Sequence, residues 1–132
     1  MSLSDIAYMA GIFDGEGSVT ISAEAKRAKN YYLRATVTNT NEPLMKWIVE
    51  HFRGGYIAKT RGILTRKDCY TWTISGKKAQ NFLRIIQDFS IVKKPQINVA
   101  LQFVVKDCSH HCSIEEREVR AKLRLLIKEL NK

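Results

Sequence analysis

Two carboxylates, Asp14 and Glu16, flank a glycine in the run Met9-Ala10-Gly11-Ile12-Phe13-Asp14-Gly15-Glu16-Gly17. Upstream, Ile6, Met9, Ala10 and Phe13 recur at i, i+3, i+4 and i+7, which predicts a helix with one apolar face. Ala7 and Gly11 form a small-xxx-small pair that lets another backbone come close to this helix. Gly15 and Gly17 are expected to stop it in the left-handed conformation that glycine tolerates. The acids then lie at a helix C-terminus, where the dipole already concentrates negative potential. A carboxylate held there is unfavourable unless a cation joins it, so the run points to a metal site.

The elements that must hold this turn can be traced by periodicity. Residues 18–24 alternate strictly, with Val19, Ile21 and Ala23 on one side and Ser18, Thr20, Ser22 and Glu24 on the other. Residues 32–38 alternate again, with Leu33, Ala35 and Val37 inward and Tyr32, Arg34, Thr36 and Thr38 outward, so the two runs predict a hairpin. Asn41 with Pro43 opens a second helix, striped by Leu44, Trp47, Ile48 and His51/Phe52 and ended by Gly54-Gly55. A second hairpin spans Tyr56 to Arg61 and Cys69 to Ile74; the facing of its first strand stays open, because Ile57, Lys59 and Arg61 share a side. Ser75 or Gly76 precedes a third helix with Ala79, Phe82, Leu83, Ile86 and Phe89 as its stripe. Lys93-Lys94-Pro95 starts a fourth, with Ile97, Ala100, Leu101 and Val104/Val105 apolar. Ser113 and Glu116 form a capping box before a last helix carrying Val119, Leu123, Leu126, Ile127 and Leu130. This order predicts one α+β domain over residues 1–132, built on an antiparallel sheet.

Charge is segregated along the chain. Residues 1–24 hold four acids and no Lys or Arg, whereas residues 25–106 hold sixteen Lys or Arg against four acids, within a net charge of +9. A basic body beside an acidic turn suits a polyanionic substrate. No apolar run is long enough to span a membrane and no secretory signal is visible, so an intracellular protein without a membrane partner is expected. Cys69, Cys108 and Cys112 make no disulfide framework. Cys108, His110, His111 and Cys112 offer zinc-type ligands within one short stretch, which reads either as a structural zinc site or as an oxidation-prone loop.

The run from Met9 to Gly17 resembles LAGLIDADG, the signature of a family of homing endonucleases. Ala10, Gly11, Asp14 and Gly17 match; Met9, Ile12, Phe13 and Gly15 replace residues of similar size or apolarity; Glu16 replaces the second aspartate and reaches one methylene further. With the order of elements, the resemblance covers residues 4 to about 105. It implies an αββαββα fold with a saddle-shaped antiparallel sheet, here extended by C-terminal helices. One motif in one chain implies a homodimer in which the motif helices pack through Ala7, Ala10, Gly11 and Asp14. It further implies Mg²⁺ held by Glu16 and the Gly15 carbonyl, with Asp14 bracing helix ends. Asn39 falls where relatives carry a polar residue that orders solvent, and Lys93, or else Lys94, where they carry a lysine that stabilises charge or helps activate water. The partners implied are double-stranded DNA, a second copy of the chain and, in a splicing relative, intron RNA; the compartment (organelle, archaeal cell or phage-infected host) stays open.

Both hairpins carry short polar side chains at alternate positions. A ribbon of seven to nine residues extends about 25–30 Å, or roughly eight or nine base pairs, and fits the major groove, where each base pair shows its own donor and acceptor pattern. Ser18, Thr20, Ser22, Tyr32, Arg34, Thr36, Thr38, Arg61, Arg66 and Thr71 are the candidate DNA contacts. The activity expected is site-specific, metal-dependent cleavage of a long, near-palindromic duplex. The competing expectation is an inactive DNA-binding or intron-splicing protein on the same scaffold.

Overall fold

The computed structural model describes residues 1–23, 31–103 and 114–132. Glu24, Lys26, Arg27, Lys29, Val104, Val105, the Cys108–Cys112 cluster and Ser113 of the expected capping box lie outside the described residues.

The first helix, α1, spans Leu3–Glu16 and begins where the Ser2 hydroxyl accepts from the Asp5 N–H, satisfying one of the donors a helix leaves open at its start. Strand β1 (Gly17–Ala23) follows without a linker and pairs antiparallel with β2 (Tyr31–Asn39). Helix α2 (Glu42–His51) is capped by Asn41, whose side-chain oxygen accepts from Leu44 N at 2.9 Å, and has proline in its first turn. Strands β3 (Tyr56–Thr60) and β4 (Cys69–Ser75) form the second hairpin. Helices α3 (Gly76–Ile86), α4 (Lys94–Leu101) and α5 (Ile114–Leu130) complete the described elements. Gly76 enters α3 at φ +63°, a sharp strand-to-helix turn that favours glycine.

The sheet order is β1-β2-β4-β3, all antiparallel, so the two hairpins meet through β2 and β4. Strict alternation turns Val19, Ile21, Leu33, Ala35, Val37, Trp72 and Ile74 to one face, where they are buried with Met9 and Phe13 of α1, Met45 and Ile48 of α2, and Phe82, Leu83 and Ile86 of α3. Phe82 sits at the middle of this core, edge-on to Phe13, Phe52 and Trp72. Helix α5 lies against α4 and β1, and Asn131 just past its end donates to the Val19 carbonyl at 2.9 Å. Among the described residues no helix is long and apolar enough to cross a membrane.

Three expectations about helices are corrected. Helix α1 does not end in a left-handed glycine: Gly15 is inside it, and Gly17 is extended at φ −88° and ψ 161°. Gly17 is required instead by close approach, since a Cβ there would fall 2.6 Å from the Phe13 carbonyl oxygen and against the Phe13 ring. Helix α3 ends at Ile86, leaving Phe89 partly exposed rather than in the stripe. In α5 the buried positions are Arg120, Leu123 and Ile127, while Val119, Leu126 and Leu130 stay exposed. Arg120 is buried at one of these places with its guanidinium over the Phe103 ring, 4.9 Å from the centroid, a contact that favours a cation on an apolar face.

Candidate active site

Asp14 lies in the last turn of α1, half-buried, and reaches across to the segment joining α3 to α4. Its carboxylate accepts from the Ser90 hydroxyl, from Ile91 N at 2.8 Å and from Lys93 N at 3.1 Å. Burial raises its pKa, but the hydrogen bonds from Ser90 and from the backbone of Ile91, Lys93 and Val92 outweigh burial and hold the carboxyl below its ordinary value. Asp14 is therefore a brace. It ties Lys93, the N-cap residue of α4, to the end of α1 two residues before Glu16. Lys94 is the first residue of α4, is exposed and is not part of this tie.

Glu16 is the last residue of α1 and is exposed, immediately before the strand whose outward side chains begin at Ser18. The Gly15 carbonyl lies in the same final turn, among the carbonyls that a helix leaves without intrahelical partners. Among the described residues no three His, Cys, Asp or Glu side chains gather into a metal cage. One carboxylate per chain nonetheless fits a magnesium ion, which keeps several waters and is commonly held by one or two carboxylates plus substrate phosphates.

The exposed side of α1 presents Ala7, Gly11 and Gly15 at successive i, i+4 positions, and nothing lies within 4 Å of a Cβ built on Gly11 or Gly15. Tyr8 flanks this strip, 56% exposed and edge-on to Trp47 at 4.9 Å. Two of the residues expected at a helix–helix interface are engaged within the chain itself. Ala10 is fully buried in the chain's own core, on the side of Met9 and Phe13. The Asp14 carboxylate is taken up by residues 90–93.

The opposite face of the sheet gathers eight of the candidate DNA contacts. Ser18, Thr20 and Ser22 on β1, Tyr32, Arg34, Thr36 and Thr38 on β2, and Thr71 on β4 all alternate away from the core. Their hydroxyls are linked across strands, Ser18 to Thr36 at 2.6 Å and Thr38 to Thr71 at 3.1 Å. The register also settles the facing of β3. Ile57 pairs with buried Trp72 and so faces the helices, as does Lys59, which leaves Tyr56, Ala58 and Thr60 outward. Tyr56, exposed, and Thr73, buried although on the outward phase, thus complete a row, Ser18-Thr36-Thr73-Tyr56, that runs across all four strands. Neither is among the contacts expected from sequence; Tyr56 was out of reach because only the pairing with β4 decides the phase of β3, whereas Thr73 shares the alternation of Thr71 and was legible. Arg61 and Arg66 are off the strands, in the 61–68 loop, so they join this surface only at its end.

Asn39 closes β2 on the core-facing phase, opposite Tyr70. Its side-chain oxygen accepts from Asn41 N at 2.8 Å, and it lines an open groove of about 540 Å³ with Tyr8, Asn41, Pro43, Leu44 and Trp47. The structure thus ties Lys93 to the turn that carries Glu16, and places Asn39 beside α1 on the Tyr8 side without a hydrogen bond to either among the described residues.

No family model matches the chain. The "Probable intron-encoded endonuclease aI3" of Dictyostelium discoideum is 24% identical over 125 residues, 91% of this chain. The chain spans about half of that protein, 52% of its length. Among solved structures, the archaeal intron-encoded homing endonuclease I-Vdi141I, complexed with DNA, superposes with a TM-score of 0.76 at 23% identity, over 98% of this chain and 85% of that one. The homing endonuclease I-CvuI, in complex with its target in the presence of calcium, gives 0.73 at 17% identity, over 97% and 80%. The LAGLIDADG homing endonuclease I-GzeII, in complex with its DNA target, gives 0.68 at 17% identity, over 93% and 43%. The fold of this chain is that of the LAGLIDADG homing endonucleases, the proteins its Met9–Gly17 run resembles.

Proposed function

We propose that this chain is a single-motif LAGLIDADG homing endonuclease, which as a homodimer makes a double-strand break in a long, near-palindromic DNA site. The observation that carries the reading is the position of Glu16. It ends α1 where the outward hydroxyl face of β1 begins, and Asp14 ties Lys93 to the same turn.

Two copies would pair through the Ala7, Gly11 and Gly15 strip, where missing side chains let two backbones approach. Each copy lays the outward face of β1, β2 and β4 in the major groove. The nine residues of β2 extend about 30 Å, so each half-site is roughly nine base pairs and the two halves form an inverted repeat. Hydroxyls and Arg34 address base edges, and Arg61 and Arg66 sit at the end of that face.

Hydrolysis of a phosphodiester requires a water aimed in line with the leaving oxygen and relief of charge at phosphorus. Bound magnesium supplies Lewis acidity and an activated water. Glu16 and the Gly15 carbonyl would hold it, with phosphate oxygens and water completing the shell. The Lys93 ammonium offers positive charge to the phosphate, and Asp14 fixes the backbone from which that side chain reaches. Asn39 keeps its amide N–H₂ for ordering solvent, since its oxygen is already engaged with Asn41.

The test begins with duplexes enriched from a random library by the full chain in Ca²⁺. The selected site, placed in a plasmid, is linearised in Mg²⁺ and bound without cutting in Ca²⁺. Binding without any nicking in Mg²⁺ would leave a DNA-binding protein and remove the nuclease.

A further inference from the structure

Between β3 and β4 the chain makes a tight loop, 61–68, with two apolar side chains at its tip. Leu64 is 100% exposed and Ile63 74% exposed. The loop is built to hold that tip. The Asp68 carboxylate accepts from Gly62 N at 2.9 Å and pairs with Lys59 at 3.3 Å, and Arg66 N donates to the Ile63 carbonyl at 3.2 Å. These contacts hold Asp68 below its ordinary pKa, the Gly62 N–H first and Lys59 next. A side chain at Gly62 would strike the Arg66 backbone. Leu64 itself sits at φ +60°, a conformation that costs a bulky residue and that glycine adopts freely. The chain thus carries leucine where glycine would fit without strain, and points it wholly into solvent.

Three features say what covers the tip. Arg61, Arg66 and Lys67 are exposed on the same loop, whose one acid, Asp68, is already paired with Lys59, so the loop is cationic and suits an anionic partner. The loop leaves the sheet where Tyr70 pairs with Asn39, the end at which α1 delivers Glu16 to β1. Its strands carry Tyr56, Thr60, Thr71 and Thr73 outward, on the same face as Arg34 and Thr36. A surface that is apolar at the point and cationic around it matches a major groove at thymine, where a C5-methyl group projects between two phosphate walls.

We infer that Ile63 and Leu64 read the C5-methyl groups of thymines in the DNA target, toward the cleavage end of each half-site, while Arg61, Arg66 and Lys67 hold the flanking phosphates. The inference rests on the DNA-binding reading above and adds to it a base-specific contact made by carbon rather than by hydrogen bonds.

The experiment uses the full chain and the duplex it enriches from a random library, in Ca²⁺ so that nothing is cut. One or two adjacent positions per half-site should be thymine in the selected site. Replacing each thymine singly by deoxyuridine removes only a methyl, and at those positions wild-type affinity should fall about three- to fivefold, as expected for losing one buried methyl contact. The same replacement should make no difference to Leu64→Gly combined with Ile63→Ala. Leu64→Gly keeps the backbone's preferred φ, and an unchanged or higher Tm would show the loop intact. Equal wild-type affinity for every deoxyuridine duplex, or the same loss in the double variant, would overturn the inference while leaving DNA binding standing. Failure to enrich any duplex would overturn the DNA reading itself, and this contact with it.

Discussion

Asp14 and Glu16 are two residues apart in one helical turn and differ in nearly everything. Asp14 is half-buried, accepts three hydrogen bonds from residues 90–93 and is held in its charged form. Glu16 is exposed, at the junction of α1 with β1. The α-helix explains the split, because residues two apart project from different sides of it. The pair teaches that an acidic motif need not be a shared ligand set. One carboxylate builds the turn, which leaves the other exposed at a fixed place, where the proposed chemistry requires it.

The comparison breaks most visibly at its structural half. Asp14→Ala leaves the buried Ser90 hydroxyl and the N–H groups of Ile91 and Lys93 without their acceptor. It should destabilise the fold by about 3 kcal/mol, read from urea unfolding, and slow cleavage because Lys93 loses its anchor. A loss under about 0.5 kcal/mol would mean the brace does not matter.

Acid should undo the same brace. The folded pKa of Asp14 lies below the ordinary 3.8, so its contribution is complete above that value and is lost as pH falls through the lower folded one. Stability should therefore drop in this window, and Asp14→Asn should flatten that part of the curve. An identical acid slope in the variant would assign the drop to other groups.

Gly11→Ala should stabilise the lone chain by about 0.8 kcal/mol, since its Cβ meets nothing within 4 Å. The larger Gly11→Leu should abolish self-association seen by sedimentation. A dimer surviving Gly11→Leu would move the interface away from this strip.

Smallest of all is the expected effect of Glu16→Gln on stability. An exposed side chain with no hydrogen bond or ion pair among the described residues changes it by less than about 0.5 kcal/mol, so Tm should stay put. A large fall would show that Glu16, too, is structural.

The sequence was most legible where one face is buried and the other wet. Strict alternation in 18–23 and 32–38 set the facing of β1 and β2, and with it seven polar positions that share one surface. Residues 57–61 defied the same reading because Ile57 and Lys59 share a phase; burial in β3 is set by its neighbour Trp72, which lies fifteen residues along the chain from Ile57. Ala10 fitted both the apolar stripe and the small-residue strip, and only packing against the sheet assigned it to the core. Arg120 could not be foreseen as buried, because it packs on an aromatic ring, Phe103, that lies past the end of α4 and outside its own helix. The brace from Asp14 to residues 90–93 joins positions 76 to 79 residues apart, a separation at which periodicity carries no information.

The central claim is that Glu16 is the carboxylate that serves phosphodiester hydrolysis, and single-turnover cleavage by Glu16→Gln tests it most directly. With the selected duplex, the variant should bind in Ca²⁺ as tightly as wild type, within about twofold, and cleave in Mg²⁺ at least about a hundredfold more slowly, the loss expected when one preorganised electrostatic group is removed. Cleavage at the wild-type rate would contradict the account.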